Sequence, residues 1–321
     1  MSLIVSLAYL LVGFVLLVWS ADRLVAGASA LARNFGVSPL VVGITIVGFG
    51  TSAPEMIVSA LASLEGNPSL AVGNALGSNI ANIGLILGLT CLVYPMRVDR
   101  STCSREIPAL AAVTVLTALL MIDAWLSRLD GIVLAAVLAL FIAAMLRRSH
   151  REINLDPATQ ALVNEISDEM SNRRATVWTV IGLVVLPASA HVLVTGAVGM
   201  ATLLGVSEAV IGLTIVALGT SLPELAAAMA SALRKEDDLC IGNILGSNLF
   251  NLLGVLGIAA LIHPMPLESL LIERDLPVVG LTFLMLAGMA LFAGRIGRVS
   301  AAVLLATYLV YQFAVFQQAL G

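Results

Sequence analysis

Residues 50–55 read Gly-Thr-Ser-Ala-Pro-Glu, and residues 219–224 read Gly-Thr-Ser-Leu-Pro-Glu. The two hexapeptides lie 169 positions apart (219 − 50) and differ at one position. A shared apolar composition would produce chance matches of leucine and valine. It would not readily produce this order of polar residues, proline and glutamate twice. The chain is therefore a duplication, and the hexapeptide marks the same point in each half.

The similarity continues downstream of the hexapeptide at the same offset and without a gap. Residues 73–82 read GNALGSNIAN, and residues 242–251 read GNILGSNLFN. The two repeated motifs extend over 43–88 and 212–257. Both contain glycines four positions apart, which let helices approach one another closely in a membrane.

The composition excludes an ordinary soluble protein. Of 321 residues, 60% are hydrophobic and 11% are charged, whereas soluble domains carry about 25% charged residues. In lipid, only helices and closed barrels satisfy every backbone polar group. Apolar runs such as 3–19, 107–122 and 299–315 have the length of a spanning helix and lack the roughly ten-residue alternation of a barrel strand. The sequence therefore predicts an all-α membrane protein.

Hydropathy predicts ten transmembrane helices, arranged as two inverted five-helix repeats. The longest polar interruption, 148–175, separates a first repeat at 1–147 from a second at 176–321. Because each repeat crosses the membrane an odd number of times, the second is inverted relative to the first, as in many secondary transporters. The predicted helix cores are 3–31, 38–63, 70–94, 106–123, 129–147, 176–203, 207–233, 239–262, 276–293 and 299–319.

The basic residues orient this bundle. With the N-terminus outside, the inner loops carry 13 of the 16 Lys and Arg residues, and the outer loops carry Arg128 and Arg274. The positive-inside rule favours this orientation over its inverse. We therefore expect both termini to lie outside and 148–175 to be a cytoplasmic linker.

The hexapeptide has the chemistry of a cation site. Its proline removes a backbone donor and clashes with the preceding turn, so the helix is expected to kink or unwind there. Freed carbonyls, two hydroxyls and a carboxylate then form a group of hard oxygen donors, which suits Ca²⁺ or Na⁺ better than a soft metal. No basic residue lies in either hexapeptide to neutralise Glu55 or Glu224. Two buried carboxylates without a counter-charge require a cation.

Several polar residues have simpler interpretations. Serine and threonine hydroxyls often bond back to their own helix. Asn82 and Asn251 each lie four residues after a serine, so each pair shares one helical face. Asp22, Arg23 and His191 are expected to be interfacial or gating groups rather than ligands. His191 is the equivalent of Asp22, 169 positions later.

These motifs resemble the two α-repeats of the cation/Ca²⁺ exchanger superfamily, and the chain is most similar to its bacterial sodium/calcium exchanger-like branch. The resemblance implies a bacterial inner-membrane location. It implies Ca²⁺ ligation by Glu55 and Glu224, helped by backbone oxygens of Thr51 and Thr220. Some relatives carry Asp at one of the two Asn positions, whereas both are Asn here, which departs from the potassium-dependent pattern. The implied Na⁺ sites are formed by Ser52, Ser78, Asn82, Ser221, Ser247 and Asn251.

The favoured function is a secondary active antiporter that exchanges Ca²⁺ for Na⁺ by alternating access. An H⁺/Ca²⁺ antiporter is the alternative within transport, and a cation channel is the alternative of another class. The sequence contains neither a His-Glu-x-x-His motif nor a Walker-type loop, so we expect no enzyme and no ATP-driven pump. We also expect no cofactor and no nucleic-acid partner. The partners are the lipid bilayer and the transported ions, and the oligomeric state is open.

The first prediction concerns topology. Reporters fused at Gly321 and within 148–175 should report opposite sides of the membrane, with 148–175 in the cytoplasm, because the basic residues concentrate in the predicted inner loops. Alkaline phosphatase and green fluorescent protein fusions measure this directly. Finding both positions on the same side would rule out the five-plus-five inverted arrangement.

Overall fold

The computed structural model describes residues 2–153, 170–205 and 217–320, and the statements below refer to these residues. Helices account for nearly all of them, and the remainder consists of turns and four two-residue strands. Nine of the described helices are long and apolar enough to span a membrane. The prediction of an all-α membrane protein is therefore confirmed.

The first half contains five helices. The first is 33 residues long, or about 50 Å at 1.5 Å per residue. It exceeds the roughly 30 Å of a hydrocarbon core, so it must tilt or extend beyond the lipid. The helices are α1 (Leu3–Phe35), α2 (Pro39–Leu64), α3 (Ser69–Val93), α4 (Arg100–Met121) and α5 (Arg128–Ile153).

The second half repeats this order. Its first helix has 32 residues and is one residue shorter than α1. The predicted seventh span, 207–233, begins outside the described residues, and a short helical segment, Ala217–Gly219, precedes its described helix. The helices are α6 (Asn172–Leu203), α7 (Leu222–Leu233), α8 (Asp237–Ile262), α9 (Leu271–Ala293) and α10 (Arg298–Leu320).

The predicted linker, 148–175, is helical at both ends. The helix α5 continues through it to Ile153, and α6 begins at Asn172. Residues 154–169 lie outside the described part of the chain. The helices therefore extend further into this stretch than hydropathy predicts.

Two small antiparallel sheets join the halves to each other. In the first sheet Met96 pairs with Ile296, and in the second Met265 pairs with Leu126. Met96 and Met265 are equivalent in the repeat (265 − 96 = 169), and Leu126 and Ile296 are equivalent with one inserted residue (296 − 126 = 170). The two sheets are therefore equivalent copies related by a pseudo-two-fold rotation, as an inverted repeat requires. The strands are β1 (Met96–Arg97), β2 (Trp125–Leu126), β3 (Met265–Pro266) and β4 (Arg295–Ile296).

The long helices α1 and α6 pack closely against each other through glycines. A Cβ atom on Gly13 would lie 2.5 Å from the backbone nitrogen of Leu193, and one on Gly182 would lie 2.7 Å from the Cα atom of Leu24. These two contacts are equivalent at the 169-residue offset. Small residues permit this approach, which larger side chains would prevent.

Burial separates central helices from peripheral ones. In the most apolar windows, α3 is 72% buried and α8 is 89% buried, while α5 and α10 are 17% buried each. Large apolar side chains on the periphery are strongly exposed, such as Phe292 at 92% and Val299 at 81%. Lipid would cover such a surface, and water would not. The helices that carry the repeated motifs therefore lie at the centre of the bundle.

The second prediction concerns the α1–α6 contact. Gly13→Ala should lower the free energy of unfolding by about 1–3 kcal/mol, because the added methyl group meets backbone that cannot rotate away. Gly280→Ala in α9 is the matched control, since a Cβ there meets open space. Thermal unfolding in detergent, followed by size-exclusion chromatography, measures both. Equal melting temperatures for the two variants would contradict the close approach.

Candidate cation site

The first hexapeptide lies within α2. A π-helical turn, Gly43–Val47, precedes it, and the α-helix then runs without interruption over Gly48–Leu64, across Pro54. Of the expected kink or unwinding at the proline, the unwinding is therefore wrong for this copy. Packing against neighbouring helices lets a membrane helix tolerate a proline, because nearby groups satisfy the freed carbonyl.

The second hexapeptide is interrupted. The segment Ala217–Gly219 ends before a turn at Thr220 and Ser221, and α7 then begins at Leu222 with Pro223 in its first turn. Proline suits this position because the first amide groups of a helix have no helical partner. The expected break is confirmed in this copy. Two nearly identical hexapeptides thus have different backbone structures.

The two carboxylates of the hexapeptides are deeply buried. Glu55 is 0% exposed and Glu224 is 2% exposed, and they are close enough to repel each other electrostatically. Glu224 Oε1 accepts a hydrogen bond of 3.2 Å from the Ser52 hydroxyl. The other three carboxylate oxygens have no hydrogen-bond partner in the described part of the chain. Buried carboxylates in this condition are costly until a cation occupies the space beside them.

The hydroxyl groups of the first hexapeptide face the second half. Thr51 Oγ1 donates to Asn243 Oδ1 at 3.1 Å and lies 3.3 Å from Ser247 Oγ. With the bond from Ser52, these contacts join α2 to both α7 and α8. The structure thus brings five predicted site residues into one group, namely Thr51, Ser52, Glu55, Glu224 and Ser247.

The two predicted asparagines are equally buried. Asn82 and Asn251 are each 1% exposed, and neither the nitrogen nor the oxygen of either amide has a partner within the described ranges. They begin or nearly begin π-helical turns, Asn82–Leu87 in α3 and Phe250–Val255 in α8. Such turns are inserted into α-helices frequently at functional sites. The two amide oxygens are therefore available to a cation, and the two amide nitrogens are available to hydrogen-bond acceptors.

Three further predicted residues lie on the same elements as the central group. Ser78 on α3 and Ser221 before α7 are buried. No side-chain hydrogen bond links either of them to the central group among the described residues. Thr220 is half-buried at the turn of the second hexapeptide. All three lie on the helices or the turn that carry the central group.

Two further asparagines belong to the site, although the sequence reasoning did not assign them. Asn243 accepts the hydrogen bond from Thr51, and its own amide nitrogen is buried without a partner among the residues described. Asn74 donates to Ser59 Oγ at 3.0 Å and to the backbone oxygen of Glu55 at 3.4 Å. Their signal is their position in the repeat, because both follow a glycine in the same repeated pair, 169 positions apart.

This arrangement suits a hard cation. Groups of three or more His, Cys, Asp or Glu residues that could hold a metal are absent from the described part of the chain. The site instead combines two carboxylates with neutral amide and hydroxyl oxygens, which are the donors that Ca²⁺ and similar hard cations prefer. Its components come from both halves of the chain.

A comparison with known protein families matches residues 5–147 and 174–317 to the sodium/calcium exchanger protein family. The chain belongs to this family. The matched ranges include both hexapeptides and both buried glutamates. The sequence resemblance to the cation/Ca²⁺ exchanger superfamily is therefore confirmed.

Individual exchangers and membrane proteins resemble this family member over nearly its whole length. The inner membrane protein YrbG of Escherichia coli (strain K12) is 43% identical over 89% of this chain and 88% of its own length. The sodium/calcium exchanger MaX1 of Methanosarcina acetivorans is 30% identical over 86% and 88%, respectively. A solved structure of the sodium-calcium exchanger NCX_Mj superposes with a TM-score of 0.84 at 32% identity, covering 96% of this chain and 98% of that one.

The match to NCX_Mj covers both halves, and it supports the ten-helix inverted repeat as the fold of this exchanger. As a family member, the protein is a multi-pass membrane antiporter of the cation/Ca²⁺ type and not an enzyme.

Proposed function

We propose that the protein exchanges Ca²⁺ for Na⁺ across the bacterial inner membrane by alternating access. The observation that carries this proposal is the pair of buried carboxylates, Glu55 and Glu224, with three oxygens that lack a partner in the described residues. The two glutamates come from opposite halves, so the site lies where the halves meet. Inverted-repeat transporters bind their substrates at such an interface.

Ca²⁺ is the proposed divalent cargo. Two carboxylates neutralise its charge, and Ca²⁺ accepts six to eight oxygen ligands in flexible geometry. Glu55 and Glu224 are the principal ligands in this proposal, and the backbone oxygens of Thr51 and Thr220 complete the group. The names of MaX1 and NCX_Mj as sodium/calcium exchangers support the same cargo.

Na⁺ is the proposed coupling ion. It resembles Ca²⁺ in size and accepts the same hydroxyl, amide and carbonyl oxygens, so one oxygen-lined site serves both ions in turn. A proton would need only a titratable group, and the array of hydroxyls and amides would then have no evident purpose. The proposed Na⁺ sites are formed by Ser52, Ser78, Asn82, Ser221, Ser247 and Asn251.

Charge explains why the transport is an exchange. An empty site leaves two like charges in a lipid-embedded core, which is costly, whereas a site holding one Ca²⁺ or two Na⁺ is neutral. The protein therefore changes its accessible side readily only when it is loaded. The amides of Asn82 and Asn251 provide neutral oxygens for a further Na⁺, and its uncompensated charge would make the exchange electrogenic.

The orientation follows from the basic loops and from one relative. The bias of Lys and Arg supports a cytoplasmic linker and outward termini. YrbG is named an inner membrane protein, which supports the same membrane here.

The third prediction tests the two glutamates. Glu55→Gln or Glu224→Gln should weaken Ca²⁺ binding by at least about tenfold, because the lost attraction in a poorly screened site exceeds about 1.4 kcal/mol. Ca²⁺-dependent thermal stabilisation and ⁴⁵Ca²⁺ uptake measure the loss. Glu268→Gln is the matched control, since Glu268 is exposed, and Ser38→Ala is a second control. Wild-type uptake by both glutamate variants would refute the site.

The fourth prediction tests the coupling ion. Ca²⁺ uptake into Na⁺-loaded proteoliposomes should exceed uptake driven by a pH gradient in Na⁺-free buffer. It should also increase when the membrane potential favours the exit of positive charge, because each charge that crosses 100 mV contributes about 2.3 kcal/mol. Equal uptake with a pH gradient alone would favour H⁺ coupling. If uptake did not depend on the membrane potential, the claim of net charge movement would be wrong but Na⁺ coupling would stand. Steady passive Ca²⁺ flux without exchange would favour a channel.

A further inference from the structure

The helices α1 and α6 form a pair that is symmetric in itself. Ser20 Oγ lies 3.4 Å from Ser189 Oγ, which belongs to the equivalent residue 169 positions later. The contacts of Gly13 and Gly182 repeat each other in the same way. If this pair were also attached symmetrically, it would contact the two halves equally.

At one end the pair is tied to the second half by ion pairs. Asp22 Oδ1 lies 2.7 Å from Nη2 and 2.8 Å from Nε of Arg234. Arg33 Nη1 lies 3.0 Å from Glu236 Oε1, and Ser29 donates a hydrogen bond to the same carboxylate. Arg234 and Glu236 lie in the turn between α7 and α8. This turn therefore holds α1 in its present position.

The equivalent positions at the other end are Glu65 (234 − 169) and His191 (22 + 169). Glu65 lies in the turn after α2, and His191 lies on α6. They are complementary, with the acid and the base exchanged relative to Asp22 and Arg234. Both are exposed, and no hydrogen bond or ion pair joins them in the described structure.

The contacts of the hexapeptide glycines also show that the α1–α6 pair packs unequally against the two halves. A Cβ on Gly50 would collide with Leu183, and a Cβ on Gly219 would collide with Val194. Both Leu183 and Val194 belong to α6, so α6 covers both hexapeptides. If the two halves exchanged their positions around the pseudo-two-fold axis, α1 would cover both hexapeptides. The pair α1–α6 is therefore displaced from the symmetric position relative to the rest of the protein.

We propose that Asp22–Arg234 and Glu65–His191 are alternating contacts between an acidic and a basic side chain, one at each end of the cation path. An inverted repeat reaches its second conformation when the two halves exchange their conformations. In that exchange α1 separates from Arg234, and α6 approaches the turn after α2, so that His191 meets Glu65. This inference rests on the alternating access of the proposed function and identifies residues that hold each end closed.

The ion pair of Asp22 with Arg234 is weak enough to break and re-form during a reversible conformational change. The side chains of Asp22 and Arg234 are 42% and 38% exposed, and exposed ion pairs contribute little to stability. They select a conformation without blocking movement. The ion pair of Arg33 with Glu236 has no charged equivalent, since the positions 169 residues away are Thr202 and Asn67.

Cysteine cross-linking tests the pairing. In a Cys103→Ala background, Asp22→Cys with Arg234→Cys should cross-link through a short bismaleimide in the present conformation. Glu65→Cys with His191→Cys should cross-link in the opposite one, and ion gradients that raise one yield should lower the other. Each pair joins the two halves, so a protease site inserted within 148–175 separates the halves on a gel unless they are cross-linked.

A charge variant gives the second measurement. Arg234→Gln should raise the yield of the Glu65–His191 cysteine pair several-fold, because it weakens the opposing pair. Lys235→Gln is the matched control, since it removes a charge from the same turn but forms no ion pair with α1 among the described residues, and it should leave the yield unchanged.

Two results would overturn the proposal. One is the absence of the Glu65–His191 cross-link under every ion condition while the Asp22–Arg234 cross-link forms. The other is an equal effect of Arg234→Gln and Lys235→Gln on the yield. The cross-link reports a distance and not the identity of the ion, so failure of Na⁺ coupling in the transport assay would leave this readout intact.

Discussion

Two carboxylates without a counter-charge, Glu55 and Glu224, lie at the centre of a bundle whose outer surface is apolar. A charge in this position is costly unless a partner compensates it, and the described residues near it supply only neutral hydroxyl and amide groups. Each half contributes one carboxylate, so neither half can neutralise a divalent cation alone. The two carboxylates alone would push the halves apart, so apolar packing around α3 and α8 holds the halves together.

The overall fold could be predicted from the duplication and the hydropathy, because both are regular patterns along the sequence. The two small sheets could not be predicted. Met96 and Ile296 are far apart in sequence, and a two-residue strand has no periodicity to detect. The contact of Gly13 with Leu193 could not be predicted either. A glycine in an apolar membrane helix indicates that another helix approaches closely, but it does not indicate which helix.

The sequence could nominate the candidate site residues, several of which the structure brings together, but it could not predict their geometry. The motifs indicate Glu55, Glu224 and the hydroxyls around them, yet they predict the same backbone twice, whereas helix α2 is continuous across Pro54 and the second copy is broken before Pro223. Local propensity cannot distinguish two copies of one hexapeptide, so the difference arises from tertiary packing. Asn243 was missed for a related reason, because its partner Thr51 belongs to the other half.

The two small sheets also constrain the order in which the molecule is completed. The strand β1 ends at Arg97, but its partner β4 begins only at Arg295 and is followed by a single helix. During synthesis, the first half therefore enters the membrane before the partner strands of β1 and β2 exist. The backbone groups of β1 and β2 stay unpaired until β4 and β3 have been synthesised. The first half is thus completed only after β3 and β4, which flank the helix α9, have been synthesised.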